Sequence, residues 1–402
     1  MDLWLSVLVI CQGSPRAKEA SSDPLIATSR SRMREEESEA PGDCLHGFAA
    51  RASMRREPSM TAHHRRGIAC GGIWVVDLVK VIDFYPPENS IARISAISQG
   101  GGGCAHNVTL NLARFDASLP LYALGLIGAD AYGDYLLEQC RRFPNINIDQ
   151  LRRTDRDATS YTDVFSVKAS EGRTFFHYPG TNRLFQPADV DLDSLPVRMF
   201  HLGYLLLMEA MDQPDAEFGT VAAHFLAQLQ SRNIRTSIDL VSEDSGRFRQ
   251  IVPPALKYTD YCIINDWEAE KLTSIPPRVA GKLVSENLRK TGAAILAFGV
   301  KDLVVIHFPE GSYLRSKDGL ELLQPSLDLP PDYIVGSTGA GDSFCAGMLY
   351  GLYQGWNYDQ TLRFATCAGG MNLSDLTTTG GIRSWQEVLR MEDRFPYRQG
   401  VA

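Results

Sequence analysis

The chain has 402 residues, 44% hydrophobic and 22% charged, with a formal net charge of −8. A chain of this size builds a globular core without disulfide or metal staples, and an acidic balance with no long basic run argues against nucleic acid as a partner. No apolar run approaches the ~18 residues that span a bilayer, so no membrane partner is expected. Cys11, Cys44, Cys70, Cys104, Cys140, Cys262, Cys345 and Cys367 are scattered without a Cys-x-x-Cys pair, which reads as free thiols in a reducing cytoplasm.

The predicted elements begin late. Residues 4–11 are apolar like a secretory leader, but Asp2 precedes them and no positive segment does. The stretch up to residue 66 is rich in Arg, Glu, Ser and Ala without periodicity, and residues 1–66 are expected to form a disordered extension. Met33, Met54 and Met60 offer later starts. An ordered domain is expected over 67–390, with a short tail over 391–402. Residues 68–79 read as one buried strand. Pro86, Pro87, Ile91, Ile94 and Ile97 then suggest an exposed flap. A four-glycine turn, Gly100 to Gly103, leads into a helix over 107–115. A second buried strand, 121–127, precedes a helix to about Arg142. Residues 161–167 and 173–178 read as a hairpin about Ser170-Glu171-Gly172. Strand-like runs at 199–202, 236–240, 261–264, 294–298 and 303–307 alternate with helix-length segments. That alternation predicts an α/β fold with a mainly parallel sheet covered on both faces.

The strongest chemical signal is Gly336-Ser337-Thr338-Gly339-Ala340-Gly341-Asp342, followed by an apolar helical face of Phe344, Met348, Leu349 and Leu352. Small residues let a ligand approach the backbone, and the first amides of a helix together with its dipole attract anions. Asp342 in that first turn could take a proton from an attacking hydroxyl. The same residues also fit a glycine turn whose aspartate caps a helix. Gly100-x-Gly102-x-x-Ala105 formally fits a dinucleotide fingerprint, but the preceding 88–99 stretch is too polar for the buried strand this requires. No Gly-x4-Gly-Lys-Ser/Thr, His-Glu-x-x-His or Gly-x-Ser-x-Gly motif occurs.

Gly339, Ala340, Gly341 and Asp342, with Ala346 and Gly347 beyond them, resemble the second signature of the PfkB/ribokinase family of carbohydrate kinases. Gly336 departs from that signature, where an aspartate helps to bind a monovalent cation. Three further stretches resemble the family in order: Asp77 at a strand end, Gly102-Gly103-Cys104-Ala105-His106-Asn107 as its substrate turn, and Asn265-Asp266-Trp267-Glu268 as its Asn-x-x-Glu motif. The resemblance implies a ribokinase-like three-layer αβα sandwich with a small β lid formed by about 80–99 and 159–178. It implies ATP and Mg²⁺ as cofactors and a small sugar-like substrate. Asp342 would be the base, with the Gly339 to Gly341 amides as the anion hole. Asp77, Gly102, Gly103, Asn107 and Asn182 would hold the acceptor. Asn265, Glu268, Asp239, Gly299 and Asn372 would serve ATP and its metal, Glu268 acting through water. His106 and His177 are read as structural. Pairing of an exposed lid edge with a second copy would give a homodimer. Gly336 and Asp302 leave open an alternative: a catalytically silent sugar- or nucleoside-binding regulator on the same fold.

Overall fold

The computed structural model describes residues 65–167 and 172–401. The expected disordered extension, apart from Arg65 and Arg66, lies outside the described residues, as does the hairpin tip at Ser170-Glu171. In chain order come β1 (Ile68–Gly72), β2 (Val75–Ile82), β3 (Ile94–Gly102), α1 (Cys104–Phe115), β4 (Leu121–Gly128), α2 (Ala131–Arg141), β5 (Ile146–Thr154), β6 (Tyr161–Val167), β7 (Arg173–Tyr178) and β8 (Met199–Leu205). Next are the short strands β9 (Pro214–Asp215) and β10 (Gly219–Thr220), then α3 (Val221–Ser231), β11 (Arg235–Leu240), α4 (Phe248–Leu256), β12 (Tyr261–Asn265) and α5 (Asp266–Thr273). The short strands β13 (Arg278–Val279) and β14 (Lys282–Leu283) lead to α6 (Ser285–Ala297), β15 (Leu303–Phe308), β16 (Gly311–Ser316) and β17 (Glu321–Pro325). The helices α7 (Ala340–Gln354), α8 (Tyr358–Asn372), α9 (Trp385–Leu389) and α10 (Met391–Arg394) follow.

The central sheet has nine strands in the order β17-β16-β15-β12-β11-β8-β1-β4-β5. From β15 to β5 every pairing is parallel, and β16 and β17 extend one edge as antiparallel strands. Successive residues of a strand point to opposite faces. Ile68 and Cys70 therefore join one apolar cluster with Val108, Phe344 and Phe364, while Ala69 joins the other with Phe225, Val252 and Ile295. Helices α1, α7 and α8 cover the first face and α3 to α6 the second, which makes three layers and leaves parallel strands buried on both sides. A separate four-stranded sheet, β3-β2-β6-β7, forms the lid. The lid is thus built from 75–82, 94–102, 161–167 and 173–178, wider at its first segment than predicted.

Three expectations are corrected. The run 68–79 is two strands in different sheets, because the chain turns at Gly72 to Trp74 and β2 leaves for the lid. Residues 294–298 are not a strand but the end of α6 and its cap, since Leu288, Thr291, Gly292 and Ile295 are buried at helical spacing. Residues 391–398 are no loose tail: Met391 is fully buried, and Arg398 N–H donates to the Ser326 carbonyl at 2.9 Å. Among the described residues no helix is long and apolar enough to cross a membrane.

Candidate active site

The site lies at the carboxyl ends of the parallel strands, where open α/β sheets place their ligands. Gly339 caps α7 with φ 81°, a left-handed conformation that favours glycine, and a Cβ there would lie 2.3 Å from the Thr378 carbonyl oxygen. The turn leaves the first-turn amides of Gly341 and Asp342 without an intrahelical acceptor. Ala340 N–H reaches the Ser337 carbonyl at a long 3.4 Å. Asn372 Nδ2 steadies the same turn by donating to the Thr338 carbonyl at 2.9 Å.

Asp342 is buried and held from both sides. Asn107 Nδ2 donates to its Oδ2 at 2.7 Å, and the Tyr204 hydroxyl donates to its Oδ1 at 2.8 Å. Asn107 is itself oriented by His106 Nδ1, 2.9 Å from its Oδ1. Burial lowers His106 to about 4, so its ring is neutral near pH 7 and its one N–H donates to Asn107. The four-glycine turn and the Asp342 helix therefore meet. Asp77, on β2, completes the group: a Cβ on Gly102 would fall 2.2 Å from its Oδ2. Burial holds the Asp342 carboxyl above the usual carboxylate range. Burial, and then the Asp342 charge, push Asp77 up to about 7. Two carboxylates that resist simultaneous ionisation in one cleft mark a place where a proton can be exchanged.

Other predicted residues fall elsewhere. Asn265 and Glu268 form a capping box at the start of α5, with Ser242 Oγ donating to Glu268 Oε1 at 2.9 Å. Burial raises Glu268 to about 7. Asn265 ends β12 beside His307 of β15, and a Cβ on Gly341 would lie 3.2 Å from His307 Cε1, so this oxygen-rich cap shares the Asp342 end of the sheet. Asn182 is spent on a backbone clamp: its Oδ1 accepts from Trp74 N–H at 3.1 Å and its Nδ2 donates to the Trp74 carbonyl at 2.9 Å. Asp239 meets Cys104, whose thiol donates to its Oδ2 at 2.7 Å. Gly299 is corrected outright. It precedes β15 and packs on Lys257, ahead of β12, at the amino ends of the strands and opposite Asp342. The error follows from reading α6 as a strand, which moved the expected loop to the wrong edge of the sheet. His177, on β7, sits 3.0 Å from Thr162 Oγ and has a structural setting. Arg173, also on β7, donates to Thr338 Oγ and so joins the lid to the anion turn.

Sequence reasoning missed Tyr204 and His201. Tyr204 follows a buried strand run like any other, and nothing in its neighbours signals a partner 138 positions away.

Residues 67–384 match the pfkB family of carbohydrate kinases. The chain belongs to that family. An Escherichia coli (strain K12) protein described as the uncharacterized sugar kinase YeiI is 26% identical to this kinase over 305 residues, 74% of this chain and 75% of its own. Ribokinase of Arabidopsis thaliana is 24% identical over 334 residues, 81% of this chain and 80% of its own. The structure of Arabidopsis thaliana ribokinase with ribose and ATP superposes with a TM-score of 0.67 at 20% identity, covering 81% of this chain and 98% of that one. The architecture is the ribokinase fold expected from the sequence.

Proposed function

We propose that this kinase transfers the γ-phosphoryl group of ATP to a hydroxyl of an unphosphorylated sugar or sugar acid, with Asp342 as general base. The observation that carries the reading is the 2.7 Å bond between Asn107 and Asp342, which unites an acceptor-binding turn with a carboxylate beside free helix-start amides. Phosphoryl transfer asks chiefly for positioning and charge stabilisation. Asp77, Gly103 and Asn107 hold the acceptor, and Gly102 keeps its backbone close to Asp77. Asp342 Oδ takes the proton of the attacking hydroxyl. The amides of the Gly339 to Gly341 turn and of Asp342 receive the charge that develops on the moving group. The lid excludes water, and Arg173 closes it onto the anion turn.

The oxygen donors Asn265, Ser242 and Glu268 suit a hard cation held through water, and a structural relative from Escherichia coli is in complex with ATP and Mg²⁺. Mg²⁺ bound there would neutralise triphosphate charge. An unphosphorylated acceptor is favoured because, among the described residues, no Lys/Arg cluster flanks Asp77 or Asn107, and relatives include enzymes named ribokinase and ketohexokinase.

The test is Asp342→Asn in a coupled ADP-release assay across sugars, sugar acids, sugar phosphates and nucleosides. Wild type should turn over an unphosphorylated sugar or sugar acid, and the variant should lose kcat by about 10²–10⁴-fold while still binding ATP. Near-normal turnover would remove Asp342 from this role. Ligand binding without ADP release from wild type would instead favour a silent regulator.

A further inference from the structure

Beneath the cleft, four elements bring together side chains that phosphoryl transfer does not use. Cys104 opens α1, His201 lies on β8, Asp239 lies on β11 and Cys345 lies on α7. All four are buried. Cys104 Sγ is 2.7 Å from Asp239 Oδ2 and 3.1 Å from His201 Nε2, and His201 Nε2 is 3.7 Å from Asp239 Oδ1. Cys345 Sγ is 3.8 Å from the same imidazole nitrogen.

We infer that Cys104, His201 and Asp239 form a binding site for one zinc-class divalent ion, separate from any ATP-bound cation, with Cys345 beside it. Thiolate, imidazole and carboxylate together are a zinc donor set and a poor magnesium one. A tetrahedral ion with bonds of ~2.0–2.3 Å sets its ligand atoms ~3.3–3.6 Å apart. The three measured separations straddle that span, so shifts below an ångström suffice. Asp239 Oδ1 is buried, has no hydrogen-bond partner among the described residues, and points into the group. His201 Nδ1 lies 3.1 Å from Ser237 Oγ, the outer contact that fixes a metal-binding imidazole with Nε2 facing the ion. Gly203 makes the room: a Cβ there would lie 2.3 Å from Asp239 Oδ1 and 2.6 Å from Cys104 Sγ. Filling the site would pin the start of α1, and with it Asn107, to β8 and β11.

The test is cobalt substitution in the full chain carrying Cys11→Ser and Cys44→Ser, which removes the thiols outside the described residues. After chelator treatment, Co²⁺ titration should give a thiolate-to-cobalt charge-transfer band saturating at one equivalent and displaced by Zn²⁺. His201→Gln should weaken that binding at least 100-fold. Absence of the band, or a band indifferent to His201→Gln, overturns the site. Should His201→Gln fail to fold, X-ray absorption of the zinc-loaded parent decides. A sulfur shell at ~2.3 Å supports the site, and a shell of nitrogen and oxygen alone rejects it. A metal held only at the ATP cleft would show no sulfur in either measurement, so the outcome is independent of the kinase assignment.

Discussion

Asp342 and Asp77 face one cleft, and their ionisation is linked. Each is raised by burial, and Asp77 is raised further by the Asp342 charge, to about 7. A general base works only when ionised, so kcat/KM should rise with pH through an apparent pKa above the ordinary aspartate value of ~4 and level off beyond it. That apparent value belongs to the pair. Asp77 is the partner that the other's charge raises, so Asp342 ionises first and Asp77 follows at about 7. Asp342→Asn removes that charge and should move the Asp77 titration to lower pH, which carboxyl NMR of both proteins checks. A wild-type acid limb near pH 4, or an Asp77 titration unmoved by the substitution, would uncouple the two groups. At this scale Asp342 and Asn107 were legible because small residues around them announce a close backbone approach, whereas Asp77, inside the apolar run of β2, was reached only through the resemblance. Tyr204 and the clamp of Asn182 on Trp74 were not, since both depend on contacts more than 100 positions apart.

Among the elements, α7 carries the most consequence per residue. Its N-terminal turn depends on a left-handed Gly339 pressed on the Thr378 carbonyl. Gly339→Ala adds backbone strain of about 1–3 kcal/mol and a contact that only backbone movement can relieve. Denaturant unfolding should register that loss, and steady-state assays should show kcat falling by at least tenfold as the amides lose their aim. A stable variant with unaltered turnover would show that the turn tolerates another shape. The elements also show where sequence reading fails. The apolar run 294–298 has strand composition, but it closes a helix whose buried face repeats every three to four residues. A short apolar run alone cannot separate these cases. The hairpin of β6 and β7 was placed to the residue because alternation and a Glu-Gly turn agree there.

For the whole molecule, the lid is the unfinished surface. Ile91 is 89% exposed, Ile97 70%, Phe175 57% and Phe176 51%, all on or beside the lid strands. Large apolar side chains gathered on one exposed sheet mark an association site, and β3 and β7 leave unpaired edges. The expected outcome is a homodimer through the lid. Light scattering after size exclusion should give twice the chain mass, and Ile97→Glu should halve it. A wild-type monomer at micromolar concentration would end that proposal.

The Asn182 clamp has a mechanical corollary. Trp74 is gripped at both its N–H and its carbonyl, and Asp77 stands three residues farther along the chain, already inside β2 and the lid. The fixed point of the cover is thus upstream of the carboxyl proposed to meet the acceptor. A cover swinging about that point would carry Asp77 with it, so that the welcome for a sugar and the shield against water would arrive or depart as one movement.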